Sequence, residues 1–209
     1  MGSDMTWGST GEVVMIPLDN PSLRVRVVVL FKGKEPGPFA FLQGMRSGVL
    51  MRLNPDPEKT EVAKGYRRKE KCYQKMLADK VPADFDAVVS PPSRMAWQAE
   101  PYRQVLCHKN PSAIDLTPQL TSTGKSFAGE NATVNQIATQ MQFLETGQES
   151  KIRRLIIVDD TFTKGTTAAA IIGVLRTHGL SEDCEIIIAC PLWLDTFSPK
   201  SDDAIKERD

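Results

Sequence analysis

The chain has 209 residues, 41% of them hydrophobic and 25% charged, enough to bury a substantial core as one domain with an appendage. Lys plus Arg and Asp plus Glu each number 26, so the charge balance argues against nucleic acid or an anionic membrane as the partner. Four cysteines without CxxC spacing and only two histidines argue against a structural zinc site, and reduced thiols in a cytoplasmic protein are the simplest expectation.

No apolar run reaches the length of a membrane span, and the N-terminus has no signal-peptide core. Met1, Gly2 and Thr6 formally fit a myristoylation pattern, but Gly2-Ser3-Asp4 ahead of Met5 reads as an added leader. Residues 13–18 and 24–31 are rich in β-formers, with Asp19-Asn20-Pro21-Ser22 as turn material between them. Residues 39–43 and 49–53 flank a glycine-bearing segment from Gly44 to Gly48 and predict a hairpin. Residues 1–57 are therefore expected to form a small, mainly antiparallel β unit, ended by Asn54-Pro55-Asp56-Pro57, and residues 58–209 an α/β core with a C-terminal tail.

Val62, Tyr66, Tyr73, Met76 and Leu77 recur at helical spacing and predict a helix over 58–80. Its other face carries Lys64, Arg67, Arg68, Lys71 and Lys75 and reads as a solvated face rather than a steering stripe. A short strand over 85–89 leads into Ser90-Pro91-Pro92-Ser93-Arg94, where two hydroxyls and a guanidinium suit phosphate oxygens. The competing reading of that loop is a proline turn with one surface Arg. A helix over 98–108 and a second short strand over 112–116 follow, and then a polar connection over 117–130 of the kind that moves over a site. Gly124-Lys125-Ser126 looks like the tail of an ATPase P-loop, but Gln119 stands where the leading glycine belongs, so that reading is rejected. Lys125 remains a candidate for binding an anion. Val134, Ile137, Ala138, Met141 and Leu144 predict an amphipathic helix over 131–146, closed near Gly147.

The most informative stretch is 153–179. Leu155 to Val158 reads as a buried parallel strand, and Asp159 and Asp160 follow it directly. A loop of Thr161, Phe162, Thr163, Lys164 and Gly165 then leads to Thr166 and Thr167, which open an Ala/Ile-rich helix closed by Gly179. The free amides and positive dipole end of that helix, with the Thr hydroxyls, suit a phosphate monoester, and Gly165 lets the backbone approach it closely. Two adjacent carboxylates are better placed on neutral hydroxyls, such as a ribose diol, or on a metal-bound cation. Residues 184–190 form a further apolar strand, followed by Pro191 to Phe197. Alternating strands and helices from 85 to 190 predict a parallel sheet with its ligand loops at the carboxyl ends of the strands.

The run IIVDDTFTKGTT resembles the phosphoribosyl pyrophosphate (PRPP) motif of type I phosphoribosyltransferases. Thr161 and Lys164 depart from that motif, where small apolar and small hydroxyl residues are usual. The resemblance implies a type I phosphoribosyltransferase-like α/β fold with a parallel sheet flanked by helices, and a hood made by the N-terminal β-rich unit. It assigns Asp159 and Asp160 to the ribose diol, and Thr163, Lys164, Gly165, Thr166 and Thr167, with Thr161, to PRPP and its 5-phosphate. It gives Ser90, Ser93 and Arg94 to pyrophosphate, in a proline-bearing loop like that of the competence-protein branch, with Lys125 assisting from a lid. It also implies Mg2+ held chiefly by substrate, with no protein ligand directly assigned. The implied activity is transfer of ribose 5-phosphate from PRPP to a small nitrogenous acceptor, releasing pyrophosphate, in nucleotide metabolism. Trp193 stands where 6-oxopurine members carry an aromatic that stacks on the base, although Leu192, Trp193 and Leu194 together also read as core. A homodimer is admitted, and the acceptor is not identified. Two other readings stay open: a regulatory protein that binds PRPP or a nucleotide without transfer, and a response-regulator- or phosphatase-like fold whose acids hold Mg2+ directly.

Overall fold

The structure, a computed structural model, describes residues 12–16, 23–32, 60–92, 96–123 and 132–193. Its centre is a sheet of mostly parallel strands. β1 (Glu12–Ile16) pairs antiparallel with β2 (Leu23–Lys32), and β2 pairs in parallel with β9 (Glu185–Trp193). Beyond β9 come β7 (Arg154–Val158), β3 (Ala87–Val89) and β4 (Ile114–Asp115), all parallel, so the order is β1-β2-β9-β7-β3-β4. A short β8 (Thr161–Phe162) joins the carboxyl end of β9.

The apolar runs of these strands are continuous because both faces of the sheet are covered. On one face Val25, Val27 and Val29 of β2, Leu155 and Ile157 of β7, and Ile186 and Ile188 of β9 meet the helix Thr166–Thr177 through Ala169, Ile172 and Leu175. On the other, the intervening Val28, Ile156, Val158, Ile187 and Ala189 meet α1 (Thr60–Lys80) through Leu77 and Ala78, and α2 (Ala96–Lys109) through Tyr102 and Leu106. Lys109 Nζ donates to the carbonyls of Ala78 and Val81 at 2.6 and 2.5 Å, which satisfies carbonyls at the end of α1 and ties the two helices together. At the amino ends of the strands Asp86 Oδ2 accepts from the amides of Arg153 and Arg154 at 2.8 and 2.9 Å, fixing β7 beside β3.

Four expectations are corrected. The antiparallel pair at the N-terminus is present, but its second strand is also a member of the central sheet, because the alternate apolar residues of β2 are buried on both faces. A boundary at residue 57 therefore does not separate β1 and β2 from the core. The helix expected over 131–146 is only α3 (Val134–Ala138), started by a capping box between Thr133 and Gln136. Met141 and Phe143 point inward from a strand instead, β6 (Met141–Phe143), antiparallel to β5 (Leu120–Ser122), and Leu144 is left 74% exposed. Hence Leu120 to Ser122, read as loop from their polarity, are paired strand. Finally, β9 runs on to Trp193, past the expected end at Cys190. The hairpin expected over 39–53 lies outside the described residues.

Candidate functional site

From β3 the chain moves to β4 on one side, and from β7 to β9 on the other. The carboxyl ends of β3 and β7 therefore flank a topological switch point, the place where open α/β sheets form a ligand crevice. Ser90 directly follows β3 and Asp159 directly follows β7.

The loop after β7 is built in steps. The amide of Asp159 donates to the carbonyl of Ala189 at 3.2 Å, so the sheet continues to that residue. The amide of Asp160 donates to Asp159 Oδ1 at 2.8 Å and turns the chain. β8 then anchors the loop back onto β9, with Thr161 opposite Leu192 and Phe162 opposite Trp193. Phe162 is buried, whereas Thr163 and Lys164 are exposed. Gly165 takes φ 78° and ψ 9° at the N-cap of α4 (Thr166–Thr177), and among the described residues no side-chain cap hydrogen bond is made there. Its carbonyl accepts the first helical bond, from the Ala169 amide at 2.8 Å. The first-turn amides of α4, with the partly exposed Thr166 and Thr167, are left to receive an anion.

Gly165 has a second reason to be glycine, which the sequence did not show. A Cβ there would lie 2.5 Å from Ile16 Cγ2 and 3.2 Å from Phe162 Cε2. The missing side chain faces the protein interior.

Asp159 is partly buried, and burial followed by the charge of Asp160 holds its carboxyl well above the ordinary carboxylate range. Cys190, fully buried behind the pair, is pushed up by burial first and then by both acids. Across the switch point Ser90 is 1% exposed and its amide donates to Thr117 Oγ1 at 3.0 Å. The amide of Thr117 in turn donates to Asp115 Oδ1 at 3.0 Å, and Asp115 is also paired with Arg103. The hydroxyl oxygens of Ser90 and Thr161 are buried with no hydrogen-bond partner among the described residues. Buried hydroxyls are seldom left so, and both stand beside the acids' end of the sheet. Thr117 escaped the sequence reading; its only signal was its place, directly after the second core strand and before Pro118.

Thus Ser90, Asp159, Asp160, Thr161 and the 163–167 loop come together at one end of the sheet. Ser93, Arg94 and Lys125 lie outside the described residues. Trp193 ends β9 beside this loop, packed against Phe162 and under Lys32. Among the described residues no three His, Cys, Asp or Glu side chains cluster to hold a metal, and no helix is long and apolar enough to cross a membrane.

No family model matches the chain. It is 27% identical over 134 residues to the amidophosphoribosyltransferase of Homo sapiens, an alignment covering 60% of this chain and 23% of that protein. The chain thus spans about a quarter of the length of that relative. Among solved structures it is similar to a purine phosphoribosyltransferase from Pyrococcus horikoshii Ot3, with a TM-score of 0.40 and 18% identity over 61% of this chain and 81% of that one.

Proposed function

We propose that the chain, similar over 134 residues to an amidophosphoribosyltransferase, is of the type I phosphoribosyltransferase kind and transfers ribose 5-phosphate from PRPP to a small acceptor with a nucleophilic nitrogen. The observation that carries the proposal is the succession of Asp159 and Asp160 at the end of β7 and the uncapped amino end of α4 directly after them. That order supports the reading because a carboxylate pair suits a diol and a helix terminus suits a phosphate, the two ends of one ribose 5-phosphate.

In this reading the first amides of α4 and the hydroxyls of Thr163, Thr166 and Thr167 hold the 5-phosphate. Asp159 and Asp160 accept hydrogen bonds from the ribose hydroxyls and favour the positive charge that develops on the ring as the bond from its anomeric carbon to pyrophosphate breaks. The acceptor nitrogen forms the new bond to that carbon and gives up its proton to solvent or to an oxygen of the departing pyrophosphate. Ser90 donates to the departing pyrophosphate, with Ser93, Arg94 and Lys125 as the further donors the sequence supplies. The residues fit Mg2+ as two adjacent carboxylates with no third His, Cys, Asp or Glu clustered beside them among the described residues, which suits an ion whose remaining oxygens come largely from substrate and water. When bound it neutralises the leaving pyrophosphate.

The test is incubation with PRPP, Mg2+ and a panel of nitrogenous bases, reading pyrophosphate. Release that depends on one base supports transfer. Binding of PRPP with no release for any base points to a regulatory protein on the same fold, and absence of binding removes both.

A further inference from the structure

Resting on the phosphate-loop reading above, we infer that Ile16 is a positioning residue for that loop: the N-terminal hairpin, through this side chain, fixes Gly165 and with it the first amides of α4. Ile16 is 1% exposed. Its Cγ2 and Cβ lie 2.5 and 3.1 Å from the point where a Cβ of Gly165 would stand, so the side chain fills the space that glycine leaves. Glycine at φ 78° has many alternatives in a free loop, and nothing in its own covalent structure selects this one. Among the described residues no side-chain cap locks the turn either. The selection is therefore made by packing, from Ile16 on one side and Phe162 on the other.

A second line of contacts joins the same hairpin to the same loop. Glu12 at the other end of β1 accepts from Lys32 Nζ at 2.5 Å, and that ammonium lies 3.9 Å from the centroid of the Trp193 ring. Trp193 in turn meets Phe162, in the loop's own β8. β1 thus meets the phosphate loop directly at Ile16 and, from Glu12, is linked to it only through Lys32 and Trp193. Because hydrogen bonds weaken steeply as donors swing off line, a loop that relaxes around Gly165 loses the convergence of amides that an anion needs. An apolar residue far from the motif in sequence then controls affinity for the phosphate without touching it.

Three variants decide the matter: Ile16→Ala, the conservative Ile16→Val, and Leu106→Ala, which removes a buried side chain on the opposite face of the sheet. Two readouts are taken, the dissociation constant for PRPP with Mg2+ and, without ligand, hydrogen exchange at the Ala169 amide that bonds the Gly165 carbonyl. Ile16→Ala is expected to weaken PRPP binding about tenfold and to speed exchange at Ala169, with Ile16→Val restoring most of both. Leu106→Ala is expected to lose melting temperature while changing neither readout. Equal exchange at Ala169 in the two alanine variants overturns the inference, as does equal PRPP affinity in them where wild type binds PRPP. If wild type does not bind PRPP but exchange separates the variants as described, the positioning role is supported and the proposed function alone falls. Should Ile16→Ala fail to fold, Ile16→Val against Leu106→Ala decides by the same exchange comparison.

Discussion

The rings of Phe162 and Trp193 stand edge to face, with centroids 5.2 Å apart and planes at 88°, and Lys32 Nζ sits over the Trp193 ring. Trp193 therefore has packing partners on β8 and β2 before any ligand arrives. We expect Trp193→Ala to lower stability by about 2 kcal/mol in urea denaturation, less than for a fully buried Trp because the residue is partly exposed. An acceptor stacked on this ring would need the face opposite Lys32. A raised Michaelis constant for the acceptor alone, with unchanged melting temperature, would establish that role over the packing one.

Gly165 and Gly147 form a natural pair of controls. Their φ angles are 78° and 74°, but a Cβ at Gly147 would have nothing within 4 Å, while one at Gly165 meets Ile16 and Phe162. Alanine at Gly147 should cost only the left-handed backbone term, about 1–2 kcal/mol. Alanine at Gly165 should cost that and about 1–3 kcal/mol more for the overlap. Similar losses for the two variants would mean that Ile16 retreats freely and exerts no hold on the loop.

The Asp159 carboxyl gives a pH signature. Its folded-state value is raised by burial and by Asp160, so the folded protein binds that proton more tightly than the unfolded chain does. Its contribution to stability is then complete below the ordinary carboxylate value of 3.8 and is lost as pH rises through the raised value. Asp159→Asn should raise the melting temperature at neutral pH, and the gain should shrink as pH falls toward 3.8. Asp160→Asn should move the transition to lower pH by removing the neighbouring charge. A gain that does not vary with pH would exclude this cause.

Much of the site was legible because its chemistry is local. A buried strand, two acids and a glycine at a helix start are adjacent in sequence, and the structure keeps them adjacent in space. What periodicity could not reveal was pairing at long range. Met141 and Phe143 fit a helical face as well as an alternating strand, and only β5 decides between them. Val25, Val27 and Val29 announced a strand but not its neighbour, so β2 was assigned to a separate unit although it lies against β9. For the same reason Ile16 carried no functional signal: its meaning comes from Gly165, far along the chain.

Ser90 offers the sharpest separation of stability from binding. Its hydroxyl is buried without a partner among the described residues, while its amide is held by Thr117 Oγ1 at 3.0 Å. Ser90→Ala removes the unsatisfied group and keeps the amide bond, so stability should hold or rise by up to about 1 kcal/mol. Thr117→Val does the reverse, stranding a buried amide at a cost of about 1–3 kcal/mol. If the Ser90 hydroxyl serves the leaving pyrophosphate, Ser90→Ala should weaken PRPP about tenfold and leave ribose 5-phosphate, which lacks that group, unchanged. Both affinities can be measured by calorimetric titration of one preparation. Equal losses for the two ligands would move Ser90 from the pyrophosphate to the ribose phosphate half of the site, and no loss for either would leave its orphaned hydroxyl without a ligand.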